Sequence, residues 1–271
     1  MVSRIRPATK YYGGKYYLAT KLVALFPKHN TYVETHGGMA NALLNKEVAN
    51  VEIYNDIYGA LTNLFRVLRD NGDELRRRLI LTPYSELEFN YENQALILDP
   101  IEWARETFVH LRLSIGGRAN SFSYTLHRSR RGMADVVSGY LSAIDEELPK
   151  IIERLRTVQI LCQDAIDVIK KWDSQDTFFY CDPPYLQETR VSKQVYVHEM
   201  GEEKEDIDAQ KLLLETLLNI KGKVMISGYN SPLYQRLLKD FRTHSFNMPN
   251  NAAGGKIKAR KIETIWMNFS L

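Results

Sequence analysis

The sequence predicts an α/β fold with a mixed, mostly parallel sheet and a helical insertion, and two observations support that prediction. First, residues 30–70 read as strand, glycine-containing loop, helix, strand and helix, the order that is typical of a parallel sheet. Second, the same alternation returns after residue 156, where apolar runs at 157–162, 177–181 and 223–228 predict further strands.

The remaining elements follow from local patterns. Residues 16–26 carry apolar side chains at helical spacing and stop at Pro27, which cannot continue a helix. The run "NVEIYNDI" at 50–57 is a strand pattern, and the helix after it passes through "YGALTNLFRVLRD". Toward the C-terminus we expect helices at 165–171, 209–220 and 231–239, and last strands in "RTHSFN" and "IETIWMNF".

The alternation of strands and helices stops between about residue 71 and residue 155. Three stretches in this range, "LEFNYENQALIL", "IEWARETFVHLRLS" and "VVSGYLSAIDEELPKIIERL", show helical patterns instead. We therefore expect a helical insertion at 71–155 within a domain that is formed by residues 1–70 and 156–271.

Length, charge and cysteines narrow the class of protein. With 271 residues and a net charge of +3, the chain can form one domain with a sizeable insertion, and it is mildly basic, which permits a nucleic-acid partner without favouring one. Cys162 and Cys181 lie in apolar runs, so we expect buried free thiols and neither a disulfide nor a metal site. No run reaches membrane-spanning length and no signal peptide pattern is present, which predicts a soluble, cytoplasmic protein.

The stretch "VETHGGMAN" places an acid, Glu34, at the end of a strand and two glycines, Gly37 and Gly38, just after it. Glycines at this place let the backbone approach a ligand closely, although a plain tight turn explains the pair equally well. Asp56 ends the next strand, where an acid commonly binds ribose hydroxyls, although an N-cap of the following helix explains this residue when it is taken alone. Together, the turn and the acid indicate a nucleoside pocket.

A second glycine pair, in "KYYGGKYY" at 10–17, does not form a phosphate-binding loop. That motif requires Ser or Thr after its Gly-Lys, and here Tyr16 follows Lys15. An ATPase is therefore not expected.

The tetrapeptide "DPPY" is the most specific signal in the sequence. A match to Asp-Pro-Pro followed by any aromatic residue arises by chance in roughly one chain of this length in several hundred. A loop with an acid and a Pro-Pro corner is the plainer explanation, but the apolar run "TFFYC" predicts a buried strand that ends here, and open α/β sheets bind ligands at this end of their strands. The candidate catalytic residues are therefore Asp182, Pro183, Pro184 and Tyr185.

These residue types suit methylation of an exocyclic amino group on a nucleobase. The nitrogen of such a group is a poor nucleophile because its lone pair is delocalised into the ring. The Asp182 carboxylate and the fixed carbonyl of Pro183 can accept its two hydrogens and direct the lone pair at an electrophile, while Tyr185 offers a ring for the base to stack on. The methyl group of a sulfonium is such an electrophile and needs no metal.

A basic stretch from Leu111 to Arg131 is the remaining candidate site. It contains no acid, and Phe122 and Tyr124 are interleaved with its basic residues. A solvated loop is an equally good explanation of the stretch by itself. Next to a site that modifies a base, it predicts a DNA-contacting element, with arginines for phosphates and guanine edges. The candidate arginines are Arg112, Arg118, Arg128, Arg130 and Arg131.

These motifs resemble those of the Dam-type family of DNA adenine-N6 methyltransferases, particularly its phage-encoded members, over essentially the whole chain and in family order. The segments that carry the resemblance are "KYYGGK", "YVETHGGMANALLNK", "NDI", "LTPYSELEF", "DPPY", "GKVMISGYNSPLY" and "ETIWMNF". The resemblance implies a Rossmann-like, S-adenosylmethionine-dependent methyltransferase fold in which 71–155 is the target-recognition insertion.

The resemblance also implies a set of cofactor-binding residues. They are Tyr11, Lys15, Glu34, Gly37, Gly38, Asp56, Asp164 and Asp182. The chain departs from the family pattern in the glycine motif, at Thr35, His36 and Met39, and at Ala165 after the acid near the cofactor's adenine.

The sequence thus predicts an enzyme that transfers a methyl group from S-adenosylmethionine to N6 of an adenine flipped out of double-stranded DNA and releases S-adenosylhomocysteine. We expect a monomer or weak dimer in the cytoplasm of a bacterial or phage-infected cell. Two alternatives stay open: methylation of cytosine N4, which uses the same geometry, and a non-catalytic DNA-binding module that kept the fold.

Overall fold

A computed structural model describes residues 4–91, 99–129, 132–189, 200, 203–249 and 260–270. The strands in these residues are β1 (Thr31–Glu34), β2 (Val51–Asn55), β3 (Val158–Leu161), β4 (Thr177–Cys181), β5 (Lys223–Gly228), β6 (Arg242–Pro249) and β7 (Arg260–Met267). They form one sheet in the order β3-β2-β1-β4-β5-β7-β6. The pairs β2–β3, β1–β4 and β4–β5 are parallel, and β7 is antiparallel to both β5 and β6. The predicted mixed, mostly parallel sheet is confirmed.

The helices in the described residues are α1 (Tyr16–Val23), α2 (Gly59–Ile80), α3 (Glu86–Asn90), α4 (Pro100–Leu113), α5 (Asp135–Ser142), α6 (Leu148–Leu155), α7 (Ala165–Trp172), α8 (Glu203–Leu218) and α9 (Pro232–Leu237). Our prediction of a helix after the glycine turn is wrong, because only a short 3₁₀ turn, Leu43–Asn45, forms there. Ala40 has a φ of 52°, a left-handed conformation that interrupts a right-handed helix, and the Asn45 side chain donates to the Asn41 carbonyl (3.0 Å).

The chain divides into two compact units, of which the first comprises Met1–Leu25 and Gly37–Cys162. Its core lies around α2, whose apolar side chains recur at helical spacing and pack against α4 and α6. The buried apolar side chains of α2 include Leu61, Leu64, Phe65, Leu68, Leu75 and Leu79.

Helix α2 is interrupted at Asn71, where φ is −137° and ψ is 31°. Asparagine and the following glycine are weak helix formers, and a Cβ on Gly72 would lie 2.6 Å from the Ile152 side chain of α6, so the two helices approach closely here. The interruption falls at the start of the predicted insertion, 71–155, and helices occupy most of the described residues of that range. That this range recognises the target stays a prediction.

The second unit comprises Phe26–His36 and Gln163–Leu271 and contains the strands β1, β4, β5, β6 and β7. All five residues of β4 are buried, and the Phe178 ring packs against the Phe26 ring with their centres 4.7 Å apart. In the parallel pairs, Glu34 aligns with Tyr180 and Cys181 aligns with Ile226. The strands β1, β4 and β5 therefore end at the same edge, where ligands bind in open α/β sheets.

The two cysteines differ from each other. Cys181 is buried as expected, but the expectation was wrong for Cys162, which is exposed. The strand before Cys162, β3, lies at the edge of the sheet and is only partly buried, so the apolar run that suggested a buried thiol belongs to an edge strand.

Within the described ranges no helix is long and apolar enough to cross a membrane, and no three His, Cys, Asp or Glu residues are grouped as a metal site would need.

Candidate active site

The predicted catalytic motif forms a corner at the carboxyl end of β4. The strand is apolar and buried up to Cys181, and the two prolines after Asp182 prevent the ladder from continuing. The Asp182 carboxylate is half-buried, and its Oδ1 accepts a hydrogen bond from the hydroxyl of Ser227 on β5 (2.8 Å). Ser227 is fully buried, so a rigid neighbouring strand fixes the orientation of this carboxylate.

Tyr185, the last residue of the motif, has a buried ring whose hydroxyl faces two carboxylates. The hydroxyl donates to Oε1 of Glu263 on β7 and lies 3.1 Å from Oδ1 of Asp182. The ring makes an edge-to-face contact with Tyr229, with the ring centres 4.6 Å apart. Burial, followed by the charges of both acids, raises the pKa of Tyr185 well above its usual value, so the phenol keeps its proton. Stacking of a base on this ring stays a prediction.

Hydrogen bonds from α8 hold the backbone of the corner. Gln210 is fully buried; it donates from Nε2 to the Pro184 carbonyl (2.5 Å) and accepts from the Tyr234 hydroxyl (2.7 Å). The N–H of Gln187 donates to Oδ2 of buried Asp206 (2.9 Å). The hydrogen bond from Gln210 anchors the Pro184 carbonyl, and the proline rings restrict the backbone torsions. The corner therefore presents its carbonyl groups in fixed directions.

Two residues of the glycine motif lie in the second unit, at the carboxyl end of β1. Glu34 is buried and accepts a hydrogen bond from the Tyr32 hydroxyl (2.8 Å). Burial lowers the pKa of His36 to about 4, against the opposite effect of the Asp182 and Asp164 carboxylates. The imidazole is therefore neutral at pH 7 and adds no positive charge near Asp182.

Gly37, Gly38 and Asp56 come together in the first unit. The Gly38 N–H donates to Oδ2 of Asp56 (2.7 Å), and the N–H of Tyr58, the N-cap residue of α2, donates to Oδ1 (2.8 Å), so this acid fixes the glycine turn and the segment just before α2. A Cβ on Gly37 would lie 2.1 Å from the Tyr54 ring, and Gly38 has a φ of 48°. Only glycine fits both positions without strain, which is what a backbone that closely approaches a ligand requires.

The other predicted cofactor residues have different surroundings. The Tyr11 ring lies beside the glycine turn, 3.6 Å from where a Cβ of Gly38 would be. Lys15 is the N-cap residue of α1. In the second unit, Asp164 is exposed and caps α7, with its Oδ1 accepting from the Ile166 N–H (2.8 Å). The roles of these residues toward a cofactor stay predictions.

Two described arginines of the basic stretch are exposed. The guanidinium of Arg118 lies 4.8 Å from the centre of the Tyr12 ring, a cation–π contact, and Arg128 belongs to an isolated antiparallel bridge. Arg130 and Arg131 lie outside the described residues. The exposed pair is thus available for contacts with phosphates.

Arg112 is placed differently from this exposed pair. It is half-buried and donates to the Gly139 carbonyl, and burial lowers the pKa of its guanidinium. The Phe122 ring packs against Tyr84 with centres 5.4 Å apart, which anchors the loop, whereas Tyr124 is 81% exposed. Arg112 therefore suits a structural contact better than direct contact with DNA.

Sequence reasoning did not single out three residues that hold the candidate catalytic motif: Ser227, Gln210 and Glu263. Two of them lie in segments that carry the family resemblance, "GKVMISGYNSPLY" and "ETIWMNF", and that was the available signal. Gln210 lies in a charged helix without any such signal.

Comparison with known proteins gives three matches. The family model of D12 class N6 adenine-specific DNA methyltransferases matches residues 11–248. The Type II methyltransferase M1.LlaDCHI of Lactococcus lactis subsp. cremoris is 26% identical over 285 residues, which cover 98% of this chain and 96% of that protein. Modification methylase LlaI of Lactococcus lactis subsp. lactis is 24% identical over 288 residues, which cover 96% of this chain and 43% of that protein.

Proposed function

The chain belongs to the D12 class N6 adenine-specific DNA methyltransferase family, and from that premise we propose how it acts. It is an enzyme that methylates adenine in DNA at N6. We propose that the methyl donor is S-adenosylmethionine and that the acceptor is an adenine flipped out of double-stranded DNA. The observation that carries this mechanism is the Asp182 carboxylate, which follows a buried strand and is oriented by Ser227.

In the proposed mechanism, Asp182 and the Pro183 carbonyl each accept one hydrogen of the adenine amino group. This pairing makes the nitrogen more tetrahedral and directs its lone pair. When bound, S-adenosylmethionine supplies a methyl group that is already activated by the sulfonium, so the C–S bond breaks as the N–C bond forms. The nitrogen then loses its extra proton, which the Asp182 carboxylate can take because it already accepts a hydrogen bond from that nitrogen.

The glycine turn of the first unit fits a nucleoside cofactor. The Tyr54 ring occupies the space that a side chain on Gly37 would need, so the backbone of the turn stays bare there, and the Gly38 N–H donates to Asp56. A carboxylate accepts up to about four hydrogen bonds, so two backbone bonds to Asp56 are compatible with a further bond from ribose hydroxyls. We propose the same cofactor role for Tyr11, Lys15, Glu34, Gly38, Asp164 and Asp182, as the resemblance implies.

The proposed function is tested by the modified nucleoside. We expect that purified protein, incubated with unmethylated duplex DNA and methyl-labelled S-adenosylmethionine, places the label in N6-methyl-2′-deoxyadenosine, which is identified after digestion of the DNA. Label in N4-methylcytosine would instead favour the cytosine alternative. Cofactor binding too weak to measure by calorimetry, together with no label in DNA, would favour the non-catalytic module.

The location that we propose is the cytoplasm, where this substrate is found.

The exposed arginines are proposed to bind DNA phosphates. We expect that Arg118→Ala combined with Arg128→Ala weakens duplex binding and makes the dependence of log K on log salt less steep by about 2, because each lost phosphate contact contributes about 0.9. Fluorescence anisotropy of a labelled duplex at several salt concentrations measures this slope.

A matched control removes the same charge elsewhere. Arg77 on α2 and Arg156, just after α6, are also exposed, but each pairs with the acid three residues before it. The double variant Arg77→Ala with Arg156→Ala should leave the salt slope unchanged. Equal slopes for the two double variants would place the DNA-binding surface elsewhere.

A further inference from the structure

The carboxylates of Glu263 and Asp182 both lie next to the Tyr185 hydroxyl. The Tyr185 hydroxyl has one proton and two carboxylate neighbours, Glu263 and Asp182. Its 3.1 Å separation from Oδ1 of Asp182 exceeds the usual range of O–H···O bonds, about 2.5–3.0 Å, so the proton is directed to Glu263. Oδ1 of Asp182 accepts the Ser227 hydroxyl instead (2.8 Å).

Glu263 is a buried carboxylate that lies close to a second carboxylate, Asp182. Its side chain is 8% exposed, Tyr185 is 6% exposed, and β7 continues into buried Ile265 and Trp266. Placing a second carboxylate in such surroundings, close to Asp182, requires desolvation and brings like charges together. Burial and pairs of like charges are concentrated at functional sites, which makes Glu263 a candidate for a role in the reaction.

We propose that Glu263 is a positioning residue for methyl transfer, acting through Tyr185. By accepting the phenol proton, Glu263 fixes the ring of the catalytic motif and keeps that proton away from Asp182. If the phenol donated to Asp182, that carboxylate would accept one more strong hydrogen bond and would be a weaker acceptor for the adenine amino group. This inference rests on the function proposed for Asp182.

The test is a double-mutant cycle on turnover. We expect Glu263→Gln to lower kcat by about tenfold to a hundredfold, the range expected when a reacting group is slightly misplaced, with little change in the KM for S-adenosylmethionine. Tyr185→Phe keeps the ring and removes the proton. In the Tyr185→Phe background, Glu263→Gln should have almost no further effect on kcat, because the pathway between Glu263 and Asp182 is already broken.

Controls separate this role from a structural one. Thr264, the next residue of β7, has its hydroxyl 3.3 Å from that of Ser245, so Thr264→Val removes a polar contact in the same strand and should leave kcat unchanged. Glu263→Asp keeps the charge and should recover part of the loss. If Glu263→Gln does not fold, Tyr185→Phe and Glu263→Asp still report on kcat, and full turnover in both would overturn the proposal.

Two outcomes distinguish this inference from the proposed function itself. If wild-type protein methylates adenine while Glu263→Gln keeps wild-type kcat and only loses thermal stability, Glu263 is structural and the inference is overturned. Additive effects of the two substitutions on kcat would also overturn it. If wild-type protein transfers no methyl group to DNA, the proposed function fails first, and the cycle has no turnover to compare.

Discussion

Replacing Asp182 with alanine is expected to reduce methyl transfer by about a thousandfold or more while the chain stays folded. Removing a preorganised group that contacts the reacting atoms typically costs a factor of about 10²–10⁴. Alanine leaves the adenine amino group without its carboxylate acceptor, and the Pro183 carbonyl alone does not direct the lone pair. Folding should be retained because Asp182 is only half-buried and the substitution removes a negative charge close to Glu263.

The measurement is transfer of labelled methyl groups to duplex DNA, with thermal unfolding followed in parallel. Asp240 is an exposed acid of the same unit, so Asp240→Ala is a control for loss of one carboxylate and should keep full activity. A folded Asp182→Ala protein with activity within tenfold of wild type would contradict the mechanism proposed here.

Much of the fold was predictable because it follows from patterns in short stretches of the sequence. The strand before the catalytic motif is apolar at every position, Pro183 and Pro184 end it, and the alternation of strands and helices implies parallel pairing. The helix after the glycine turn was not predictable in this way, since its failure depends on the backbone of Ala40, whose left-handed φ is set by the surrounding turn.

The supporting residues of the candidate site could not be predicted, because they are distant in sequence. Ser227 reaches Asp182 across 45 residues and Glu263 reaches Tyr185 across 78. These contacts depend on which strands are neighbours and in what register, and a single sequence does not specify either. The same limit applies to the orientation of the tyrosine: its ring was expected as a stacking surface, while its buried hydroxyl bond to Glu263 depends on β7.

Replacing Glu52 with glutamine is expected to lower the free energy of unfolding by about 3–5 kcal/mol, the cost of removing one partner from a buried ion pair. Glu52 is 1% exposed and accepts hydrogen bonds from Lys46 (2.5 Å) and from both terminal nitrogens of Arg154 (2.6 and 2.8 Å). Glutamine keeps the shape but removes the negative charge that pairs with two buried cations. Arg154 also donates to the Leu43 carbonyl (2.8 Å). The triad of Glu52, Lys46 and Arg154 therefore borders the turn that follows the glycine motif.

The pH dependence of stability provides a second readout of this triad. Burial alone would raise the pKa of Glu52, but the hydrogen bonds and charges of Arg154 and Lys46 outweigh burial and hold it below its usual value. A carboxyl whose pKa is lower in the folded state stabilises the fold at neutral pH, and this contribution is lost as the pH falls below the usual pKa toward the lowered one. Wild-type protein should therefore lose stability on acidification more steeply than Glu52→Gln.

Thermal and urea unfolding measure the effect against a control on the neighbouring helix. Glu153, beside Arg154 on α6, pairs with Arg156 at the surface, where both side chains are mostly exposed. Such surface pairs contribute about 0–1 kcal/mol, so Glu153→Gln removes the same charge at little cost. At roughly 2–4 °C per kcal/mol, Glu52→Gln should unfold about 10 °C below wild type. Equal melting temperatures for the two variants would mean that the buried triad is not a main source of the first unit's stability.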